Sequence, residues 1–247
     1  MITLIRMDSY QSVYPVSPRA LLLDFYGTLT SACTRGPAHE LVPRLLGCDP
    51  AEYRAVLDTS FYARCRGAYG DALETMRWIA GELGVAPSAS RLRAAQAARL
   101  IAVRADTRLR PEAFPTLWQL RRRGIRLAVV SDCAWELPEI MRGMPITHLI
   151  DAKVFSVHVG HCKPRPEMYL TACDRLGVAP QDCAFVGDGG SRELSGAEAL
   201  GIRAVRLAAP DLVDHLVFAT DDTFTGPSAP TLPEATTLAL TALSPAH

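Results

Sequence analysis

Residues 21–30 read LLLDFYGTLT. Together with Ala20, the three leucines form an apolar run too short for a buried helix. It is followed by an acid and then by a Gly-Thr turn signal, and such a run reads as a fully buried strand ending at Asp24. Three further runs have the same character: IRLAVVSD (125–132), CAFVGD (183–188) and IRAVRL (202–207). Each follows a helix-like segment closed by glycine, at Gly124, Gly177 and Gly201, where a left-handed residue ends a helix. Strands alternating with helices predict an α/β fold, a doubly wound and Rossmann-like parallel sheet.

Between residues 31 and 112 the rhythm changes. AEYRAVLDTSFYARC, DALETMRWIAGELG and SRLRAAQAARLIAVRA carry apolar residues at spacings of three and four, with no convincing strand. The expectation is a discontinuous core, 1–30 and 113–247, with an α-helical cap subdomain at 31–112 inserted after the first strand. The tail from 208 onward is rich in Pro, Thr and Ala. Within it LPEATTLALTAL (232–243) is a candidate docked helix, and disorder is expected at the last few residues.

Composition narrows the classes of function. Lys+Arg and Asp+Glu are equal at 26 each, so there is no general attraction to nucleic acid or to an anionic membrane. The only lysines are Lys153 and Lys163. Seven cysteines, odd in number and without a CxxC pair, read as reduced and mostly buried thiols. No apolar run reaches the ~18 residues of a membrane span, and no apolar leader with a cleavage site opens the chain. The expected setting is cytoplasmic.

Asp24, Ser131 and Asp188 all stand at carboxyl ends of expected strands. In an open parallel sheet that edge is where ligands bind, although any one of the three would serve as an ordinary helix cap. In chain order, Asp24-to-Thr28 in DFYGT, Ser131 in VVSD, Lys163 in HCKPRPEMY, and Asp188 with Glu193 in VGDGGSRELSGA resemble the motif set of the haloacid dehalogenase superfamily of hydrolases. The likeness runs over about residues 20–207, insertion included.

That resemblance implies a role for each position. Asp24 would be a nucleophile forming a covalent aspartyl intermediate. Thr28 and Ser131 would hydrogen-bond the transferring group, and Lys163 would neutralise charge between nucleophile and substrate. Magnesium would sit between the Asp24 carboxylate, the backbone carbonyl of Tyr26 and Asp188. Glu193, one methylene longer than the aspartate the family more often has there, would support from the outer shell. Gly189, Gly190 and Ser191 are candidates for presenting free backbone N–H groups. Gly27, Asp132, Arg35 and Arg64 are candidate substrate contacts, with Arg66, Phe61, Tyr62 and Tyr69 in the same block. The plainer alternative is that these aromatics are helix core and these arginines are solvated. His158 and His161 lack a third ligand at metal spacing.

The pattern departs from most phosphatases of this superfamily at Tyr26, where they carry an aspartate that protonates the leaving oxygen. General acid help is worth roughly 10²- to 10⁴-fold. The Asp-x-Tyr-Gly-Thr form resembles instead the 2-haloacid dehalogenase branch, which needs no such proton and no metal. That branch, however, lacks the acid at Asp188 and favours asparagine at Asp132. A Schiff-base route through a cap lysine is closed, since residues 31–112 contain no lysine. The reading is a magnesium-dependent phosphatase for a small phosphorylated metabolite with an easily departing leaving group. The alternatives are a 2-haloacid dehalogenase and a catalytically weak relative that binds a phosphorylated ligand.

Overall fold

In the computed structural model, which describes residues 19–241, the chain forms a six-stranded sheet in which every neighbouring pair is parallel. The strands are β1 (Ala20–Leu23), β2 (Arg126–Ser131), β3 (Ala152–Phe155), β4 (Cys183–Gly187), β5 (Arg203–Leu207) and β6 (Ser228–Ala229), in the spatial order β3-β2-β1-β4-β5-β6. The first half of the chain extends the sheet to one side of β1. The second half, from β4 onward, extends it to the other. The carboxyl ends of β1 and β4 therefore flank the point where the winding reverses, the crevice in which open parallel sheets bind ligands.

The period-2 geometry of a strand explains the unbroken leucine run. Leu21 and Leu23 belong to one core cluster with Leu127, Val129, Ala184 and Val186, whereas Ala20 and Leu22 belong to a second with Ala128, Val130 and Phe185. Both faces of β1 are covered, so neither can be polar. The first face packs against α6 (Ala113–Arg122), α7 (Glu136–Met141) and α11 (Leu232–Leu240), through Leu117, Leu137, Leu232 and Ala235 among others. The second packs against α9 (Pro166–Leu176) and α10 (Glu193–Glu198), through Met168, Tyr169, Leu194 and Ala197. A short α8 (Ser156–Val159) follows β3.

Five helices lie between β1 and α6: α1 (Leu41–Leu46), α2 (Pro50–Thr59), α3 (Phe61–Cys65), α4 (Ala72–Glu82) and α5 (Ala89–Asp106). Four of them, α1, α2, α4 and α5, close on a core cluster of their own, built from Val42, Leu46, Tyr53, Leu57, Met76, Ile79, Leu92 and Ala95. Local caps hold their starts. The Asp49 carboxylate accepts the N–H groups of Ala51 and Glu52, and Asp71 and Glu74 form a reciprocal capping box.

The strand expectations agree with the structure to within a residue at each end, and Gly124, Gly177 and Gly201 take left-handed conformations at the helix ends. The helix expected near 232–243 is α11, docked through Leu232, Ala235, Thr236, Ala239 and Leu240. The expectation for the last few residues falls on 242–247, outside the described residues. Two strands escaped the reading. β3 is four residues long and carries Lys153, and β6 has only two residues.

Residues 208–227 are not a tail. This segment crosses back over the carboxyl edge of the sheet. The Leu216 N–H donates to the Cys33 carbonyl, the Ser191 and Arg192 N–H groups donate to the Phe218 and Ala219 carbonyls, and Phe218 stacks on Phe61 at 3.8 Å. Apart from a short 3-10 turn at Pro210–Asp214, these long-range partners satisfy its backbone groups.

Candidate active site

Asp24 leaves β1 with its backbone N–H bonded to the Val186 carbonyl. Its carboxylate, 5% exposed, lies at the floor of a cavity of about 180 Å³ roofed by residues of α3, α5 and the 208–227 segment. At roughly 30 Å³ per water, that is room for a small metabolite. Lys163 precedes α9 and reaches in from the opposite side. Its Nζ donates to Asp24 Oδ1 at 2.5 Å, to Glu193 Oε2 at 2.5 Å and to the Val130 carbonyl at 3.3 Å. Asp132 holds this lysine's backbone in place, accepting the Lys163 N–H at 2.9 Å through Oδ1, while its Oδ2 is buried without a partner.

Asp188 follows β4. Its Oδ1 accepts the Gly190 N–H at 2.9 Å, and His215 Nε2 lies 3.2 Å from its Oδ2. Because His215 Nδ1 accepts the Cys33 N–H at 2.8 Å, the neutral ring must carry its proton on Nε2 and donate it to Asp188. Among the described residues, Asp24, Asp188 and Glu193 form a group whose ligand oxygens all lie within 4.8 Å of one another and that could hold a metal ion.

The electrostatics follow from this crowding. Burial pushes the Asp24 carboxyl up, and Asp188 adds to that while Lys163 opposes it. Burial and the charge of Asp24 push Glu193 well above the ordinary carboxylate range. Burial alone would lower Lys163, but Asp24 and Glu193 reverse that and hold it firmly charged. Asp188 goes the other way: although burial penalises its charge, the bonds from His215 and Gly190 keep it below its usual value. Three carboxylates thus face one ammonium, a hard-oxygen set that suits a small divalent cation.

The structure separates the expected residues into groups. Asp24, Tyr26, Lys163, Asp188, Glu193, Asp132, Arg35 and Arg64 line one cavity, and Phe61 lines it with them. The hydroxyls of Thr28 and Ser131 lie outside its lining. Both are fully buried and have no hydrogen-bond partner, an uncommon condition for a native hydroxyl. Gly27 does not line the cavity either, because its N–H donates to Thr30 Oγ1 and its carbonyl accepts from Arg110.

Gly27 is needed for space instead. It sits at φ +78°, and a Cβ there would fall 2.6 Å from His215 Nε2 and 2.7 Å from Asp188 Oδ2. Gly27→Ala is expected to cost at least about 1–2 kcal/mol for the left-handed backbone alone, with a further loss of activity as the His215–Asp188 pair is displaced. Chemical denaturation and a rate assay on the same sample check both effects.

Several sequence readings are corrected here. The Gly189, Gly190, Ser191 and Arg192 N–H groups are not free for a ligand: they bond to Glu193 Oε1, Asp188 Oδ1 and the Phe218 and Ala219 carbonyls. Glu193, expected in the outer shell of a metal, is not among these corrections: it bonds Lys163 and lies in the same acidic group as Asp24 and Asp188. Arg35 pairs with Asp58. Arg64 is buried rather than solvated, and bonds Ser60 Oγ and the Leu57 carbonyl. Tyr69 stacks on Trp78, away from Asp24, and Tyr62 reaches Ser191 Oγ at 3.3 Å. His158 lies against Phe155, and His161 lies 3.8 Å from Glu167.

Three contributors went unnoticed in the sequence. His215 lay in the supposed tail. Arg110 clamps the DFYGT loop, donating to the carbonyls of Gly27 and Thr28 and pairing with Asp211 at 2.7 Å. Arg99, on α5, pairs with Glu136 of α7 at 2.6 Å inside the cavity wall. Arginine is so common in this chain that only its placement in space distinguishes these two.

A family model for haloacid dehalogenase-like hydrolases matches residues 18–201. Among curated proteins, a glyceraldehyde 3-phosphate phosphatase of Methanopyrus kandleri is 37% identical over 98 residues, covering 39% of this chain and 42% of that one. A (S)-2-haloacid dehalogenase 4A of Burkholderia cepacia is 30% identical over 110 residues, 44% of this chain and 47% of that one. The matched stretch thus spans less than half the length of either relative. Among solved structures, an HAD phosphatase from Thermococcus onnurineus superposes with a TM-score of 0.60 at 21% identity, covering 91% of this chain and all of that one, a likeness of fold.

Proposed function

The chain belongs to the haloacid dehalogenase-like hydrolases, and on that premise we propose that it is a magnesium-dependent phosphatase acting on a small phosphorylated metabolite. The observation that carries the reading is the carboxylate group of Asp24, Asp188 and Glu193 around a single lysine. A site that only displaces halide from carbon has no use for that excess of negative charge. The Asp24 carboxylate, the Asp188 carboxylate and the Tyr26 carbonyl would hold the ion, with Glu193 behind them and residues 31–112 as a cap. When bound, magnesium supplies positive charge against the phosphoryl oxygens.

Lys163 anchors Asp24 Oδ1, which leaves Oδ2 to attack phosphorus. The new bond forms as the bond to the leaving oxygen breaks, giving an aspartyl phosphate. Water then attacks phosphorus, releasing phosphate and restoring the carboxylate. The Lys163 ammonium stays beside Asp24 and offsets charge on the incoming group. The hydroxyls of Thr28 and Ser131, partnerless but outside the cavity lining, would have to turn toward it to reach the phosphoryl oxygens, and Asp132 fixes the lysine from behind. Tyr26 supplies no proton: burial, reinforced by Cys133 and Cys33, pushes its phenol well above its ordinary range. The leaving group must therefore depart without strong acid help, as from an anomeric phosphate, an acyl phosphate or an anhydride. On this account Tyr26→Phe changes turnover by less than about threefold, far below the ~10²-fold or more lost with a true general acid.

Dehalogenation is kept as a second reading because Tyr26 and the Burkholderia relative both favour it. The test is a panel of phosphate esters, acyl phosphates and 2-chloropropionate, assayed with magnesium and with a chelator. Phosphate release that stops with the chelator supports the proposal, and halide release that ignores the chelator rejects it.

A further inference from the structure

At the cap end of the cavity, two guanidinium groups are buried. Arg99 is 8% exposed and Arg64 is 7% exposed. Burial lowers the proton affinity of Arg64, and the charge of Arg99 lowers it further. One carboxylate, Glu136, faces both. Arg99 gives it only its Nε–H, and Arg99 Nη1 is buried with no partner. Arg64 bonds only to neutral oxygens, those of Ser60 and Leu57. The Tyr53 hydroxyl sits beside Arg99 as a neutral hydrogen-bonding neighbour and reinforces its charge, although the contact falls short of good hydrogen-bond geometry. The other acid on this wall, Asp106, is held by His39 and by the Gly36 N–H.

A buried guanidinium whose Nη1 has no charged or well-placed acceptor is costly, and Arg99 and Arg64 line the same cavity as Asp24 and Lys163. We infer that Arg99 and Arg64 form a second anion site, so that the substrate carries a carboxylate or comparable anionic group in addition to the one that reacts at Asp24. The inference rests on the phosphatase reading for what reacts at Asp24, but its charge pattern is independent of that chemistry. The acidic end of the cavity receives the reacting group, and the arginine end receives the second anion through charge-assisted, forked hydrogen bonds.

The test compares 3-phosphoglycerate with glycerol 3-phosphate, which differ in a carboxylate against a hydroxymethyl group. Calorimetric titration of full-length Asp24→Asn protein measures binding without turnover. The acid is expected to bind at least about tenfold more tightly, the scale of a charged hydrogen bond, and the ratio should fall below about threefold in Arg99→Gln. Because that change strands Glu136, the same measurement is made in Arg99→Gln/Glu136→Gln, which removes both charges of the pair, and in Arg64→Gln. Loss of acid preference with glycerol 3-phosphate binding unchanged supports the site. Equal binding of the two probes by the starting protein, including no binding of either, overturns it, as does a preference that survives in the double variant. Phosphate release by the unmodified chain from anomeric and acyl phosphates is followed in parallel. Release without acid preference overturns the anion site and leaves the phosphatase reading standing. Acid preference without release supports the anion site and counts against that reading.

Discussion

Asp24→Asn is expected to lower turnover by a factor on the order of 10⁴ or more while leaving the chain at least as stable as before. The two halves of this expectation have separate causes. The amide cannot act as the nucleophile, so the covalent route is lost. Stability holds because Asp24 is a buried acid crowded by Asp188, and burial and that neighbour already raise its pKa. An uncharged isostere relieves the crowding, and Lys163 keeps Glu193 as its partner. Phosphate release and thermal unfolding on one preparation check both halves. A variant that unfolds would mean that Asp24 is chiefly structural.

Lys163→Met should have the largest effect on folding. The lysine is 4% exposed and is the one ammonium among Asp24, Glu193 and Asp132. Removing one member of a buried ion pair costs about 3–5 kcal/mol, because the remaining charge is left uncompensated. For a chain of this size that is a fall of roughly 10 °C in melting temperature. Lys163→Met/Glu193→Gln should recover much of it, since the second change removes one of the stranded carboxylates.

Glu193 also sets a pH dependence with a definite sign. Its folded pKa is raised well above the ordinary 4.5, so the folded chain holds this proton more tightly than the unfolded chain does. The stability that the proton contributes is complete below about 4.5 and is lost as pH rises through the raised value. The unmodified, metal-free chain should therefore weaken relative to Glu193→Gln as pH climbs from about 4.5 toward neutrality. Denaturant midpoints of the two proteins across that range read the difference directly.

Local pattern carried much of the fold. β1, β2 and β4 carry continuous apolar runs because parallel strands covered on both faces have no polar side, and β5 keeps enough of that pattern around the half-buried Arg203 and Arg206 to stand out as well. β3 and β6 are short, and their membership in the sheet is decided by pairing with β2 and β5. The same contrast holds at the cavity. Asp24, Asp188 and Lys163 sit at strand ends or helix starts, where position along the chain already implies position in the crevice. His215, Arg99, Glu136 and Arg110 arrive through tertiary contacts with partners up to about 180 residues away in sequence, as Cys33 is from His215, and no local period marks them. Gly189 to Ser191 failed as a ligand cradle because their N–H groups, which look free in sequence, are taken: two by the nearby carboxylates of Glu193 and Asp188, and the third by the Phe218 carbonyl of the segment that folds back.

The central claim, that Asp24 attacks phosphorus and water then cleaves the resulting aspartyl phosphate, is tested most directly by a single turnover in oxygen-18 water. Mass spectrometry then follows both the released product and the peptide containing Asp24. Attack of water at phosphorus predicts heavy oxygen in the phosphate and an Asp24 peptide of unchanged mass. Heavy oxygen in the Asp24 carboxylate would place the attack at the carbonyl carbon of an alkyl ester, the outcome of displacement at carbon, and would contradict the account.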